Sequence, residues 1–173
     1  MTLSIRATTP ADIPAITAIY AHAVRNGTAT FELEPPDEAE MLRRYEKLRA
    51  GRFPYIVAES GGKVAGYAYA GPFRERPAYR FTVEDSIYID PAMHKRGIGK
   101  ALLLELVKRA EQGGFRQMLA VIGDSANAGS IGVHRTCGFR DAGLFKAVGY
   151  KFGRWLDTVQ MQLPLGKADT AAP

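Results

Sequence analysis

Three stretches of the chain hold residues whose types and spacing could do chemistry. The first, Arg80 to Ile89, carries Glu84 and Asp85 among β-branched, aromatic and small residues. Strands disfavour acids and burying a carboxylate is costly, so one of the two is expected to face an open cleft. A partly desolvated carboxylate titrates closer to neutrality and can act as a general base. Strand alternation puts Glu84, Ser86 and Tyr88 on one face and Asp85, Ile87 and Ile89 on the other. A plain structural alternative is an edge-strand acid paired with Arg80.

The second stretch is His94-Lys95-Arg96-Gly97-Ile98-Gly99-Lys100. A helix starting at Ile98 leaves its first N–H groups unpaired at the positive end of its dipole, a site suited to a phosphate-rich anion. Gly97 and Gly99 would let that anion come close, although the glycines could equally form a tight turn among solvated cations. No Gly-Lys-Ser/Thr follows, and Gly97-Ile98-Gly99 does not extend to a dinucleotide fingerprint. The third stretch is the polar loop Gly71 to Pro77, where Arg74 and Arg76 could grip the oxygens of an oxyanion such as a carboxylate with forked geometry. Two solvated arginines are the alternative there.

The elements that position these residues follow from periodicity. Ile87, Tyr88 and Ile89 end a strand at Asp90-Pro91, and from Ile98 the apolar period becomes helical through Ala110, with Gln112 on the polar side. Upstream, Leu3 to Ala7 reads as a strand, and Thr8 or Thr9 before Pro10 opens a helix that ends at Asn26-Gly27. Its apolar face, Ile13, Ile16, Ile19, Tyr20 and Val24, reads as core. Thr28 to Pro36 is an extended connection containing Phe31, Glu32 and Glu34. A helix from Asp37 to Ala50 should have Asp37 as cap and Glu40 as its capping-box partner. Tyr55 to Glu59 and Val64 to Ala70 form a hairpin around Ser60-Gly61-Gly62-Lys63. Downstream come a strand over Phe115 to Ile122, a short helix over Ser130 to Cys137, and strands over Phe139 to Val148 and Arg154 to Leu163.

A chain of 173 residues with 46% apolar content fits one domain with a substantial core. The reading gives a single domain over 1–165 and a loose tail over 166–173. One cysteine excludes an intramolecular disulfide, and Cys137 reads as packing because no base partner can be named for it. No apolar run approaches the roughly 20 residues a membrane helix needs, so no membrane partner and a cytoplasmic location are expected. The formal charge of +5 is spread along the chain rather than gathered in a stripe, which argues against a nucleic-acid partner.

The segment His94 to Gly99 resembles the pyrophosphate loop of the GNAT N-acetyltransferases, with His94 where Gln or Arg is usual. Tyr69 to Pro72, Thr82 to Ile89, Ala120 to Gly123 and Val148 to Asp157 are similar to blocks of the phosphinothricin and methionine sulfoximine/sulfone acetyltransferases. The resemblance implies an α/β fold, a central mixed and mostly antiparallel sheet of about seven strands flanked by about four helices. It implies acetyl-CoA as co-substrate, no metal, a small amino-acid-like acceptor and a homodimer. Ile87, Tyr88, Ile89, Lys95, Arg96, Gly97, Ile98, Gly99, Lys100, Asn127 and Ser130 would hold the cofactor, and Asn127 could instead be only a helix cap. Arg74, Glu75, Arg76, Glu84, Asp85 and Ser86 would surround the acceptor. Glu84 is the candidate general base. His134 stands where acetyltransferases commonly place a Tyr that protonates the departing thiolate; a histidine on a short helix can equally be structural. Trp155 would line the pocket or a dimer contact. Phe152, where some relatives have His, is closer to the methionine-derivative branch and implies weaker activity on phosphinothricin.

Overall fold

The computed structural model describes residues 3–172; Met1 and Thr2 of the expected domain and Pro173 of the expected tail lie outside them. Among the described residues, seven strands form one sheet, and four α-helices pack on its faces. In chain order the elements are β1 (Leu3–Ala7), α1 (Ile13–Asn26), α2 (Glu38–Ala50), β2 (Tyr55–Ser60), β3 (Lys63–Pro72), β4 (Thr82–Ile89), α3 (Ile98–Gln112), β5 (Gln117–Gly123), α4 (Ala128–Thr136), β6 (Arg140–Lys151) and β7 (Arg154–Pro164). The strand order is β1-β2-β3-β4-β5-β7-β6. Among the described strands, β4 and β5 pair parallel and the other contacts are antiparallel. This is the mixed, mostly antiparallel sheet expected.

Alternation along the strands divides the core in two. Ile56 and Ala58 of β2, Ala68 and Ala70 of β3, Val83 of β4, and Met118 and Ala120 of β5 pack under α3 through Leu102, Leu103, Leu106 and Ala110. Tyr55 and Val57 of β2 and Tyr67 of β3 face the other way, onto Ile13, Ile16, Tyr20 and Val24 of α1 and Met41 and Tyr45 of α2. Both faces of the inner strands are therefore covered, and Ile16, Val24, Leu102, Leu106 and Tyr67 are completely buried.

Local rules explain the turns, and they also explain where the boundaries move. Ser60 pairs with Lys63, and Gly61 and Gly62 take φ of 59° and 73°, the two positive angles a type I′ hairpin turn requires. Asp37 caps α2 through Glu40 N–H at 2.8 Å. The capping box is not reciprocated, because the Glu40 carboxylate turns to Arg43 and Arg44 instead. A reciprocal arrangement sits one helix earlier, where Asp12 Oδ2 accepts from Thr9 N–H. β4 begins at Thr82 rather than Arg80, since Pro77–Tyr79 makes a tight turn and the Arg80 guanidinium lies over the Phe81 ring at 4.5 Å. β6 runs to Lys151, beyond Val148, and α4 begins at Ala128, before Ser130. After Leu165, which is fully buried, Gly166 N–H donates to Glu111 and Arg116 reaches the Ala172 carbonyl.

Candidate active site

The sheet opens where β4 and β5 part. Phe73 N–H donates to the Thr82 carbonyl on the β3 side, whereas Arg116 and Gln117 donate to the Phe81 carbonyl on the β5 side. Residues alternate sides along a strand, so odd-numbered residues of β4 turn their peptide groups towards β5. The β4–β5 ladder stops at Glu84 opposite Leu119. Beyond it, the N–H groups of Ile87 and Ile89 face a gap. A cleft of about 270 Å³ occupies this gap, lined among others by Thr30, Phe31, Glu84, Asp85, Ser86, Ile87, Tyr88, Ile122, Asn127, Ser130 and His134.

Glu84 and Asp85 diverge as alternation requires. Glu84 lies opposite Gly71, and Ser86 opposite Tyr69, on the face that α1 and α2 cover. Burial, reinforced by the neighbouring charge of Asp85 and opposed by that of Arg74, pushes the Glu84 carboxyl up to about 7. Asp85 points to the α3 and α4 side and is 7% exposed. Its Oδ2 lies 3.0 Å from Nε2 of His134, itself 4% exposed, whose Nδ1 lies 2.8 Å from the Ser130 carbonyl. Burial alone would lower the His134 pKa, but the hydrogen bond and charge of Asp85, aided by the Ser130 carbonyl, outweigh it and raise it. Asp85 was expected beside the acceptor; its carboxylate is instead engaged with the residue expected to serve the thiolate. Among the described residues, neither acid forms an ion pair with Arg80.

The anion site is built at the start of α3. Gly97 adopts φ 77° as the N-cap and supplies no side chain, so the first N–H groups of α3 have no side-chain cap. A Cβ at Gly99 would come no closer than 3.9 Å to Ile89, so the approach is open. Lys95, Arg96 and Lys100 are exposed around this turn, and His94 Nε2 donates to the Ile89 carbonyl at 3.2 Å. Uncapped donors, surrounding cations and free strand N–H groups leading from α3 along β4 fit a pyrophosphate followed by an extended amide-bearing arm. Asn127 caps α4, its Oδ1 accepting from Ser130 N–H at 3.2 Å. Its side chain also lines the cleft.

Not all expected residues meet in the cleft. Arg74, Glu75 and Arg76 are exposed on the loop after β3, and Arg74 lies over the Phe73 ring at 5.0 Å; only the charge of Arg74 reaches Glu84. Trp155 is 65% exposed and meets Tyr150 edge-on, outside the cleft lining. Cys137 is half-buried, with burial raising its thiol.

Sequence reasoning missed the clamp on the cleft wall. Lys151 is buried, donates to the carbonyls of Gly27 and Thr30 at 2.9 and 2.8 Å, and burial lowers its pKa. Asp124 accepts from Thr28 Oγ1 and from Arg154, and Thr30 Oγ1 bonds the Tyr20 hydroxyl at 2.9 Å. Phe31 is thereby held against Gly123 and Gly149, where any Cβ would collide with its ring. The available signal was the pair of glycines within otherwise strand-like segments, positions that mark close approach of another group.

Comparison with known proteins agrees with this geometry. The Acetyltransferase (GNAT) domain family matches residues 5–160. A phosphinothricin N-acetyltransferase of Alcaligenes faecalis is 54% identical over 98% of this chain and 86% of its own. An L-methionine sulfoximine/L-methionine sulfone acetyltransferase of Pseudomonas paraeruginosa is 41% identical over 99% of both. A crystal structure of a phosphinothricin acetyltransferase from Sinorhizobium meliloti in complex with AcCoA superimposes with a TM-score of 0.97 at 52% identity, covering 100% of this chain and 94% of that one. The chain belongs to the GNAT superfamily of acetyl-CoA-dependent N-acetyltransferases, with relatives of the phosphinothricin and methionine sulfoximine type.

Proposed function

We propose that the chain acetylates the α-amino group of a small amino-acid analogue such as methionine sulfone, methionine sulfoximine or phosphinothricin, in a detoxifying or resistance role. The amine attacks the thioester carbonyl of acetyl-CoA directly in a ternary complex. A C–N bond forms, the C–S bond breaks, the amine loses a proton to Glu84 and the thiolate gains one from His134. Both groups then exchange protons with solvent to restore the starting state.

Each part has a supporting observation. The pyrophosphate is assigned to the uncapped start of α3, with Lys95, Arg96 and Lys100 around it, and Ile98 and Gly99 in its first turn. Ile87 and Ile89 N–H groups are assigned to the acetyl and pantetheine oxygens, where fixed donors stabilise developing charge. Tyr88, Asn127 and Ser130 complete that wall. Arg74 and Arg76, with Glu75 between them, sit on the loop leading from β3 to β4 and are assigned to the acceptor's acidic end. Ser86 lies beside the base. A homodimer is also proposed, its contact surface being the exposed Phe145, Val148, Tyr150, Phe152 and Trp155 of β6 and β7.

The observation that carries the reading is Glu84, raised to about 7 at the mouth of the gap where the parallel strands β4 and β5 part. A base titrating near the working pH is nearly matched to an amine of pKa ~8. Glu84→Gln should lower kcat by about 100-fold and remove the ascending limb near pH 7. A change under about threefold would reject Glu84 as the base.

A further inference from the structure

The alternation that sends Glu84 towards the acceptor face sends Asp85 towards α4, and the carboxylate has one partner there. Oδ2 meets His134 Nε2, while Oδ1 is buried without a hydrogen-bond partner. Nε2 of His134 faces the Asp85 carboxylate and Nδ1 lies 2.8 Å from the Ser130 carbonyl, both of which can only accept, while the Ser130 hydroxyl stands farther from Nδ1 at 3.4 Å. A neutral imidazole has one N–H and leaves one of these contacts unsatisfied; an imidazolium satisfies both.

Among the described residues, no charge other than that of Asp85 bears on the ring. β5 contributes only Gln117, Met118, Leu119, Ala120, Val121, Ile122 and Gly123, none titratable. From α3, Lys100 offers its carbonyl to the Cys137 thiol, and Cys137 itself lies at the end of α4. Phe139 meets the imidazole edge-on at 5.0 Å. Glu84, next to Asp85 in sequence, points to the opposite face of β4. An isolated buried imidazolium would be costly, and a buried carboxylate without partners equally so; each offsets the other.

We infer that Asp85 is a positioning residue for the acid half of the reaction: its buried carboxylate fixes the His134 ring and keeps it protonated by accepting the Nε2–H, the proton that passes from this hydrogen bond to the departing thiolate. This rests on the acetyl-transfer reading above. Consecutive residues of one strand then serve opposite ends of the transfer, Glu84 taking the proton from the amine and Asp85 holding the one that the sulfur receives. The proton balance is that already given.

The experiment follows His134 directly by ¹⁵N–¹H NMR of the imidazoles in the full chain. Three histidines are present, and the His134 signals are those lost in His134→Asn. In the wild type, His134 should be an imidazolium at pH 7 with both nitrogens protonated. In Asp85→Asn its midpoint should fall by about one pH unit or more, as expected when a close counter-charge is removed. In steady-state kinetics, Asp85→Asn should lower kcat and move the descending limb to lower pH, with the acetyl-CoA KM within about threefold, because the loss lies in proton transfer rather than binding. Asp85→Glu should recover part of the loss.

A neutral wild-type His134 at pH 7 would overturn the inference, and so would an unchanged midpoint and limb in Asp85→Asn. The wild-type titration decides the matter even if Asp85→Asn does not fold. If His134→Asn turns over within about threefold of the wild type, the acid role in the proposed function fails as well. If His134→Asn is slow but Asp85→Asn keeps the wild-type pH profile, only the role of Asp85 fails.

Discussion

Glu84 combines two properties that are costly to bring together, a charge in the ionised form and burial in a central strand. Its folded pKa is raised, so folding favours the protonated form. The associated stability is present below the unfolded value near 4.5 and is lost as pH rises through about 7. Glu84→Gln should therefore melt above the wild type at pH 8.5 and with it at pH 4, while losing activity at pH 8.5. Equal melting temperatures at pH 8.5 would contradict the burial of this carboxylate. At this scale the sequence was half legible. Two acids inside a β-branched stretch marked the strand as a candidate, and period 2 put them on opposite faces, as the structure has them. That Asp85 meets His134, 49 positions away, was not legible, because nothing local to either residue encodes a contact made only when α4 packs beside the gap. For the same reason Asp85 was expected beside the acceptor.

At the scale of elements, the cleft depends on a loop that has no regular structure of its own. The segment Gly27 to Glu32 is fixed by the Lys151 ammonium, by Asp124 through Thr28, and by Tyr20 through Thr30 and Glu32. Its Phe31 ring rests where two strands carry glycine. Gly123→Ala would drive a methyl group against the Thr28 carbonyl, a backbone atom with little freedom, and against the ring. Overpacking of this kind costs about 1–3 kcal/mol, and displacement of the cleft wall should raise the acceptor KM more than the acetyl-CoA KM. Urea unfolding and steady-state kinetics of this variant check both; equal stability and an unchanged acceptor KM would show that Phe31 is not held there. Helices and hairpins were legible from caps, glycine pairs and periodicity. The start of β4 and the length of β6 were not, since proline turns and edge pairing shift boundaries without altering the apolar pattern.

At the scale of the whole molecule, β6 is an edge strand with most of its residues exposed. Phe145, Val148, Tyr150, Phe152 and Trp155 are each more than half exposed on β6, β7 and their turn. An edge that is long, apolar and uncovered invites pairing with another chain. In sedimentation velocity the protein should run at twice the chain mass, and Trp155→Arg should shift it towards the monomer; a wild type that stays monomeric at tens of micromolar would refute the dimer. The mixed sheet was expected from the resemblance, and the composition alone could not have ordered its strands. What makes the site is their order: one parallel contact in an otherwise antiparallel sheet lets β4 and β5 part, and the helix after β4 then starts at the mouth of the gap.

The most direct test of the central claim is release of free CoA thiol from acetyl-CoA with single acceptors. Methionine sulfone, methionine sulfoximine, phosphinothricin, spermidine and a short peptide should each be offered separately. Turnover with one or more of the three amino-acid analogues, exceeding that with spermidine or the peptide by about 100-fold, is the expected result, since cations at Arg74 and Arg76 favour an anionic acceptor and repel a polyamine. Turnover with spermidine or the peptide and none with the analogues would contradict it.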